Sequence, residues 1–395
     1  MENFERSVHV EEAIKVAEQF FIKHGVDISL QKKNSKNNLL CTYAVFDKSN
    51  KDNVELISSG KGVGKQALAS ALFEAIEHLL YLDNSIQSSE KAFINQIVNT
   101  NTKLLEFYPI YYLHKMQYEK ELNVIKYENI TKENNYLQYP SFLNCEVNEV
   151  DINLVGLKKY RTNSGCATGY SKEEAIIHGI NEIVERDSLS THLRNCFITK
   201  SIDTVNVVSP DSLNEKLKGI YYEVQNTLEE EIFLLDVTKY PEFPTYYAFL
   251  KKLEFSLPFK GSGTSLFSEY AIERTLLELL QHYHMHNNQN EKEAIITSAL
   301  FSEYDKYYKA IKCNYDDFNI RYSSFNYNNY FEVLDLENLL QIIIELLSKY
   351  NFDVYINQIY SSDNLFCVKV LIPGMDNFQI INNGILAVPN NSWIS

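Results

Sequence analysis

The chain has 395 residues and a formal net charge of −15, with 52 acidic against 37 basic residues. This length suits two ordinary domains or one large unit with a sizeable core. The acidic balance argues against a protein that binds the nucleic-acid backbone, because phosphate contacts need a basic face. The six cysteines include no CxxC pair, which indicates reduced thiols in a cytoplasmic protein.

The N-terminal sequence MENFERSVHV lacks the apolar segment that a signal peptide requires. No stretch approaches the roughly 18 unbroken apolar residues of a membrane-spanning helix. The sequence therefore predicts a cytoplasmic protein that binds neither membranes nor nucleic acids.

The first predicted elements are a helix over 9–24, where apolar residues recur at helical spacing, and a strand in LLCTYAVFD. A second helix is predicted from about Lys65 to Leu82. Residues 83–150 are aromatic and polar without a clear period, so their structure stays open.

A turn-rich loop, YRTNSGCATGY, precedes a long helix, and Ser171 and Glu174 have capping-box spacing at the start of that helix. EIFLLDV and TYYAFLKK are predicted to be neighbouring strands. A Gly/Ser loop then opens into another helix, within GSGTSLFSEYAIERTLLELLQHYHMH.

Near the end of the chain, LENLLQIIIELLSKY predicts a helix, and DVYINQI and LFCVKVLI predict strands. One face of the last strand carries Phe366, Val368, Val370 and Ile372. The whole pattern predicts an α/β or α+β fold without the regular alternation of a doubly wound sheet.

The segment SGKGVGK, residues 59–65, is similar in composition to a phosphate-binding loop. A Walker loop needs Gly, four residues and then Gly-Lys-Ser/Thr, so that backbone N–H groups surround the phosphates. Here Ser59 occupies the first glycine position and Gln66 follows Gly64-Lys65. The last glycine of a dinucleotide-binding fingerprint is also missing, so no P-loop is predicted.

Three predicted helices follow Gly/Ser segments and carry polar groups at i, i+3 or i+4 among apolar residues. The sets are Ser70, Glu74 and Glu77; Glu174, His178, Glu182, Glu185 and Arg186; and Arg274, Glu278 and Gln281. A single carboxylate on a helix most often lies on the solvent-exposed face and has no further role. Packed acids need a partner or a metal, because an unpaired buried carboxylate is costly. Clustered carboxylates favour hard cations, so Mg²⁺ with a phosphate ligand is the natural candidate.

Histidines in two places have competing interpretations. His282 and His286 in HYHMH have a spacing able to hold zinc, but the polar NNQNEKE that follows favours an exposed helix end. His178 lies on the carboxylate stripe, and a hydrogen-bonded histidine is the preferred interpretation.

The same segments resemble the YcaO family. GKGVGKQALASALFEAIEH is similar to its Gly-Lys-Gly and S-x3-E-x2-E-R element, and NSGCATGYSKEEAIIHGINEIVERD to its Gly-Cys-Ala loop and E-x2-E-R-D helix. AIERTLLELLQ resembles its A-x2-R-x3-E-x2-Q helix, and VKVLIPGM its late strand ending in Pro-Gly. RSVHVEEAIKV resembles its N-terminal element with a phosphate-binding basic residue. The resemblance spans nearly the whole chain in order.

This resemblance implies one YcaO domain over residues 1–395, with an ATP and Mg²⁺ site built from loop–helix elements and no P-loop. Site elements are expected near 6–82, 160–190 and 261–286, before a C-terminal helix–strand region at 330–395. The acids expected to hold Mg²⁺ are Glu74, Glu77, Glu174 and Glu185. The residues expected to line the nucleotide are Arg6, Lys61, Ser70, Glu182, Arg186, Arg274, Glu278 and Gln281. Cys166 is expected to be a small loop residue and not a nucleophile.

In the family, a Cys, Ser or Thr side chain attacks the preceding carbonyl of a peptide, and ATP phosphorylates the oxygen so that it leaves. The resemblance thus implies a cyclodehydratase subunit that forms thiazoline or oxazoline in a ribosomally made precursor peptide, as in bacteriocin synthesis. A separate E1-like (ThiF-like) partner would bind the leader peptide, and homodimers are common in the family. The alternatives are TfuA-type backbone thioamidation and a non-catalytic, partner-binding subunit.

The chain departs from the family at several positions. His78 stands where the first motif has arginine, Tyr170 where a small polar residue is frequent, and Ala13 at a usual Ser/Thr position. The C-terminus, ILAVPNNSWIS, has Pro389 but lacks the P-x-P-x-P tail of azoline-forming members. His78 and the missing tail favour the non-catalytic alternative.

Overall fold

Helices and strands alternate irregularly along the chain. The computed structural model describes residues 5–49, 55–82, 90–144, 154–250, 255–327 and 335–390. The helices in these ranges are α1 (Val10–His24), α2 (Lys65–Leu82), α3 (Ile94–Thr100), α4 (Tyr108–Lys115), α5 (Lys172–Leu193), α6 (Glu215–Leu228), α7 (Ser268–Met285), α8 (Asn288–Phe301), α9 (Asp305–Ile311) and α10 (Leu336–Lys349). The strands are β1 (Ile28–Asn34), β2 (Cys41–Asp47), β3 (Glu55–Gly62), β4 (Glu90–Ala92), β5 (Leu122–Asn129), β6 (Tyr136–Pro140), β7 (Cys166–Gly169), β8 (Thr204–Val208), β9 (Ile232–Asp236), β10 (Thr245–Leu250), β11 (Lys260–Thr264), β12 (Asn319–Ser323), β13 (Tyr355–Ser362) and β14 (Leu365–Leu371).

The described strands form three sheets. The first contains β1, β2 and β3, and the second has the order β11-β10-β9-β8-β12. The third has the order β4-β5-β13-β14-β7, with β6 also paired to β5. Strand pairing in the described ranges is antiparallel, apart from the parallel pair of β12 and β8. This topology confirms the predicted mixed fold without a doubly wound parallel sheet.

The three helices with predicted site residues pack on three different sheets. α2 lies on β3, α7 lies on β11, and α5 lies on β14 and β7. Their apolar faces enter separate buried clusters, through Leu72 and Ile76 of α2, Leu276 and Leu280 of α7, and Ile180 and Val184 of α5. Burial of these faces fixes the direction of the polar faces.

The Gly/Ser segments before these helices contain strands, which corrects the loops expected from the sequence. They form β3, β7 and β11. A Cβ on Gly60 would lie 2.0 Å from the backbone nitrogen of Ala71 in α2, and a Cβ on Gly261 would lie 2.2 Å from the backbone oxygen of Thr275 in α7. The glycines therefore allow each helix to pack directly on its own strand. The site elements are strand–turn–helix units.

The other predicted elements agree closely with the structure. The helices predicted over 9–24 and 65–82 are α1 and α2, and LENLLQIIIELLSKY is α10. EIFLLDV and TYYAFLKK are the paired strands β9 and β10, although Lys251 and Lys252 lie outside the described residues. DVYINQI and LFCVKVLI are β13 and β14. The predicted apolar face of the last strand packs in one cluster, through Phe366, Val368, Val370 and Ile372.

The segment that the sequence left open contains short elements. Within residues 90–144 these are β4, α3, α4, β5 and β6, and the rest of 83–150 lies outside the described residues. β4 has three residues and α3 has seven. Their buried side chains, including Ile97, Ile110 and Tyr127, join the largest apolar cluster of the described chain. A strand of three residues and a helix of seven do not repeat long enough to produce a readable period.

Two further findings concern the predicted environment. Among the described residues, every helix falls short of the combined length and apolar character that a bilayer crossing demands. The described cysteines are free and buried at positions 41, 166, 196, 313 and 367. Cys145 lies outside the described residues.

Candidate functional site

A cavity of about 920 Å³ is bounded by α2, α5, α7, β3 and the segment that precedes α1. All twelve residues expected at the site contribute to its wall, from four separated parts of the chain. They are Arg6, Lys61, Ser70, Glu74, Glu77, Glu174, Glu182, Glu185, Arg186, Arg274, Glu278 and Gln281. The fold thus brings the polar stripes of the three helices to one place.

Glu74 and Glu77 on α2 are half-buried carboxylates at the cavity wall. Neither accepts a hydrogen bond or forms an ion pair within the described part of the chain. Burial raises the pKa of Glu74 to about 7 and that of Glu77 well above its ordinary value, and the carboxylate of Glu182 acts in the same direction. Such groups are stabilised when a cation joins them.

Glu185 and Glu278 face each other from α5 and α7. The hydroxyl of Ser262 donates to Glu185 at 2.7 Å and lies 3.5 Å from an oxygen of Glu278, which pairs with Lys61. Burial and the charge of Glu278 raise the pKa of Glu185 to about 7. Burial also opposes the ionisation of Glu278, but Lys61 outweighs it and lowers the pKa of Glu278 to about 2. Within the described residues, Glu278 therefore has a direct ion pair and Glu185 has none.

Glu182 and Arg186 form an ion pair one turn apart on α5. The Arg186 guanidinium also donates to Ser164 and, at 3.3 Å, to Thr162, while the backbone N–H of Gly165 donates to Glu182 at 3.3 Å. The loop before β7 thus fixes the orientation of both side chains. Their charges lie beside the unpartnered acids of α2.

Arg6 and Arg274 each have a buried Nε that finds no hydrogen-bond acceptor within the described residues. Arg274 donates through Nη1 to Nδ1 of His178 at 3.3 Å, and Arg6 donates through Nη1 to Glu174 at 2.8 Å. A buried guanidinium N–H without an acceptor is costly, so these atoms suit an anionic ligand. His178 is neutral as an acceptor, because burial and both arginines lower its pKa well below the ordinary value.

Glu174 differs from the other acids because its carboxylate accepts three hydrogen bonds from the segment before α1. Arg6 binds one oxygen, and the backbone N–H and hydroxyl of Ser7 donate to the other at 3.0 and 2.8 Å. Ser171 caps α5 as predicted, since its hydroxyl accepts from the backbone N–H of Glu174 at 3.2 Å. The reciprocal half of the capping box is missing, because the Glu174 side chain turns to the N-terminal segment.

Several residues of the site were missed in the sequence. Ser262 lies between two glycines in β11, and Ser59 precedes Gly60 in β3. The amide nitrogen of Gln281 donates to the backbone carbonyl of Ser59 at 2.7 Å and to its hydroxyl at 2.9 Å. Side chains alternate between the two faces of a strand, so interpreting these segments as strands would have placed each of the two serine side chains on one face of its strand. Glu5, buried beside Asn181, has no comparable signal in the sequence.

Lys369 of β14 is a further missed residue behind the cavity. It is buried, donates to the carbonyl of Thr162 at 2.8 Å and lies 5.0 Å from the centroid of the Tyr81 ring. Burial lowers its pKa to about 8, against the opposing charges of Glu182 and Glu77. The alternating apolar pattern of β14 gave no reason to expect that Lys369 is buried.

The donor set fits Mg²⁺ that arrives with phosphate oxygens. Within the described ranges no three His, Cys, Asp or Glu side chains are gathered closely enough to hold a metal ion by themselves. Mg²⁺ usually takes one or two carboxylates and completes its shell with water and phosphate oxygens. Within the described residues, the acids without partners could hold the cation, and the guanidinium N–H groups without acceptors could hold the phosphate oxygens. Oxygen donors without thiolates also favour a hard cation.

The zinc alternative at His282 and His286 finds no such support. His286 packs edge-on against Phe255 and Phe259 and lies 3.5 Å from Glu291. His282 is exposed at the cavity wall. The described residues bring no third ligand to this pair.

Cys166 is buried in β7 and does not line the cavity. A hydrogen bond with Cys367 and burial raise the pKa of its thiol well above the ordinary value. A thiol held in the neutral form is a poor nucleophile. Its placement agrees with a packing role, in a strand instead of the expected loop.

A protein-family model described as YcaO cyclodehydratase, ATP- and Mg²⁺-binding, matches residues 59–376. The chain belongs to the YcaO family. This membership confirms the resemblance, and the family description names the two predicted cofactors, ATP and Mg²⁺. A search of curated proteins finds no match.

Solved structures share the fold. YcaO from Methanopyrus kandleri bound with AMPPCP and Mg²⁺ has a TM-score of 0.66 at 16% identity, over 97% of this chain and 96% of that one. A heterocyclase in complex with substrate and cofactor has a TM-score of 0.66 at 19% identity, over 94% of this chain and 53% of the longer protein. The E. coli microcin synthetase McbBCD complex with pro-MccB17 bound gives a TM-score of 0.62 at 15% identity, over 89% of this chain and 88% of that one.

The departures from the family pattern have local explanations. His78 lines the cavity, and its Nδ1 donates to the carbonyl of Ile57 at 2.7 Å, so the side chain is tied to β3. The hydroxyl of Tyr170 donates to Glu12 at 2.8 Å on the surface. Ala13 contributes to the cavity wall without a polar atom. Pro389 lies within the described residues, and 391–395 lie outside them.

Proposed function

We propose that this protein is an ATP- and Mg²⁺-dependent cyclodehydratase that activates backbone amides in a ribosomally made peptide. The observation that carries the proposal is the pairing of free acids with free guanidinium N–H groups in one cavity. Within the part of the chain that the structure describes, Glu74 and Glu77 have no hydrogen-bond or ion-pair partner, and neither do the Nε atoms of Arg6 and Arg274. Membership of the YcaO family supplies the reaction class.

In this proposal the carboxylates of Glu74, Glu77, Glu174 and Glu185 would hold Mg²⁺, and the ion would offset the negative charge of the phosphates. Arg6, Arg274 and Arg186 neutralise phosphate charge, and Lys61 keeps Glu278 ionised beside them. Ser70, Glu182 and Gln281 complete the wall that orients the nucleotide. Phosphoryl transfer depends mainly on positioning and charge neutralisation, which these fixed groups provide.

Bound ATP supplies the phosphoryl group that turns a poor leaving group, the amide oxygen, into a good one. A Cys, Ser or Thr side chain of the peptide forms the ring, and one water is lost for each residue modified. No nucleophile of the chain itself is required. This is consistent with Cys166 being buried away from the cavity wall.

Substrate recognition is proposed to need a separate partner that binds the leader peptide, as an E1-like protein would. One supporting observation is that the E. coli microcin synthetase McbBCD structure, which shares the fold, is a complex with pro-MccB17 bound. A homodimer, a single domain over 1–395 and a cytoplasmic location remain part of the proposal.

The direct test is to incubate the protein with ATP, Mg²⁺, a Cys/Ser/Thr-rich peptide encoded beside its gene and the neighbouring partner protein. The expected result is peptide-dependent release of ADP and phosphate, with one water mass lost for each ring by mass spectrometry. Sulfur replacing oxygen without loss of water would instead assign TfuA-type thioamidation. An unmodified peptide together with no Mg²⁺-dependent ATP binding would assign the non-catalytic alternative.

A further inference from the structure

The cavity continues past the acids to a second end, which is bounded by the start of β3 and the loop before β7. Its volume of about 920 Å³ is near the upper limit of the roughly 300–1,000 Å³ that small-molecule sites occupy, so a second ligand can fit. Arg274 contacts His178 on α5, and Arg186 lies about 12 Å further along the same helix. The groups around Arg186 are thus placed to bind a different molecule, or a different part of one, than the groups around Arg274.

His78 on α2 lines this second end and has one ring nitrogen to spare. Its Nδ1 donates to the carbonyl of Ile57 at 2.7 Å, so the neutral ring carries its proton there and has a lone pair on Nε2. Within the part of the chain that the structure describes, Nε2 has no hydrogen-bond partner. Ile57 lies about 13 Å along β3 from Lys61, so His78 is well separated from the ion pair of Lys61 with Glu278.

Asn163 adds a second neutral polar group, from the loop before β7. The residue is half-buried in the cavity wall, and its carboxamide forms no hydrogen bond inside the described ranges. The loop itself is held firmly, because Arg186 donates to the hydroxyls of Thr162 and Ser164, and Lys369 donates to the carbonyl of Thr162. The carboxamide is therefore presented to the cavity by backbone that buried cations keep in place.

These two side chains suit a neutral amide better than a phosphate. An unprotonated Nε2 can only accept a hydrogen bond, and an ionised phosphate has no proton to donate. A carboxamide both donates and accepts, and a peptide group needs one partner of each kind. His78 also stands where the family motif has arginine, so this chain has a neutral ring in place of a cation at this end of the cavity.

We infer that His78 and Asn163 form a subsite for the peptide substrate, in which His78 accepts from a peptide N–H, O–H or S–H group and Asn163 donates to a peptide carbonyl. The identity of the ligand rests on the proposed function. Both residues position the substrate, and neither is assigned a proton transfer.

The neighbours of Asn163 explain why the subsite lies at this end. Thr162 and Ser164 flank it and accept from Arg186, which neutralises phosphate charge in the proposed site. A peptide carbonyl held by Asn163 is therefore next to the guanidinium that faces the phosphates. Substrates that react with each other must be bound side by side in this way.

His78→Asn separates a bond to the peptide from the bond to β3. Asparagine keeps a donor at the place of Nδ1 and has no acceptor at the place of Nε2. The KM for the peptide is expected to rise about fivefold, while the KM for ATP stays within about twofold of the wild-type value. His78→Gln, which restores an acceptor at the place of Nε2, is expected to recover most of the loss. An unchanged KM for the peptide, or a rise in the KM for ATP alone, would contradict the assignment.

Cross-linking tests the subsite without turnover. The peptide of the direct test carries a bromoacetyl group at one modifiable position, and the protein carries Asn163→Cys, so that alkylation is read as an increase in intact mass. With the partner protein present and nucleotide absent, Asn163→Cys is expected to react about tenfold faster than Ser361→Cys, an exposed position of β13 outside the cavity wall. Wild-type protein gives the background rate, and excess unlabelled peptide should suppress the reaction. Equal rates for the two variants would overturn the subsite.

The subsite and the proposed function fail in different ways. If the wild type shows no Mg²⁺-dependent thermal shift with ATP but Asn163→Cys is still cross-linked, the ATP-dependent function fails and the peptide subsite stands. If the wild type shows the shift and modifies the peptide while Asn163→Cys reacts no faster than Ser361→Cys, the subsite fails and the proposed function stands.

Discussion

Ser262 in β11 donates a 2.7 Å hydrogen bond to Glu185 on α5, and the same hydroxyl lies 3.5 Å from Glu278 on α7. One small side chain thus spans two carboxylates that come from different helices. Lys61 pairs directly with Glu278, whereas the hydrogen bond that Glu185 accepts within the described residues comes from this hydroxyl, so the orientation of Glu185 depends on it. Ser262 is accordingly a residue that orients a metal-binding acid in the proposed site.

Ser262→Ala is expected to raise the Mg²⁺ concentration needed for ATP turnover by about tenfold, because the oxygen of Glu185 loses its orienting donor. Glu185→Gln is expected to reduce turnover much further, since the carboxylate itself is removed. Steady-state ATPase assays with the peptide and partner across a Mg²⁺ series measure both effects. Ser361→Ala, an exposed serine of β13, is the control. Unchanged peptide modification by Glu185→Gln would remove this acid from the site.

Glu77→Gln is expected to have opposite effects on stability and on ligand binding. The buried carboxylate has no partner within the described residues, so its removal should raise the free energy of unfolding by about 1 kcal/mol. The same change should abolish most of the thermal stabilisation by Mg²⁺ and ATP. Thermal unfolding with and without Mg²⁺-ATP, against the exposed control Glu18→Gln, tests both. A destabilised variant that keeps its full ligand shift would contradict the assignment.

Two glycine substitutions should act in opposite directions on stability. Gly60→Ala places a Cβ 2.0 Å from the backbone of α2, so a loss of about 3 kcal/mol is expected. Gly219→Ala in α6 meets no heavy atom within 4 Å and gains helix propensity, so a gain of about 0.5–1 kcal/mol is expected. Urea denaturation measures each change. A Gly60→Ala protein of wild-type stability would show that β3 and α2 are not in close contact.

His192 predicts a pH dependence of stability away from the cavity. Burial lowers its pKa to about 4, below the ordinary value of 6.5, and its ring bonds the Tyr315 hydroxyl at 2.9 Å. Because the folded pKa is depressed, the stability contributed by the neutral ring is present above pH 6.5 and is lost as the pH falls toward 4. The stability advantage of wild type over His192→Gln should therefore shrink by about 2 kcal/mol between pH 7 and pH 5. A constant difference would mean that the ring is solvated.

The long elements and the polar stripes could be predicted because the apolar residues and the charged residues both recur at helical spacing there. In α2, buried Leu72 and Ile76 alternate with Glu74 and Glu77 at helical spacing, so both the helix and its inward charges were readable. The same holds for α5 and α7. The convergence of the twelve residues came from the family resemblance, since three stripes on separate sheets do not reveal their distances.

The parts that were missed have identifiable physical causes. β3 and β11 were taken for loops because their glycines hide the strand period, although close packing on a helix requires them. Within residues 90–144, β4 and α3 are too short to carry a period. Glu174 is expected to hold Mg²⁺ because of the family resemblance, and the hydrogen bonds that its carboxylate accepts from Arg6 and Ser7 had no signal in the sequence. Those partners lie more than 160 residues away in the chain.

Isothermal titration of the wild-type protein with ATP, in the presence of Mg²⁺ and then of EDTA, tests the central claim most directly. The claim is that acids on α2 and α5 and the guanidiniums of Arg6 and Arg274 bind a triphosphate together through Mg²⁺. Saturable heat with Mg²⁺ and little or none with EDTA is the predicted result. The same absence of heat in both titrations would contradict it.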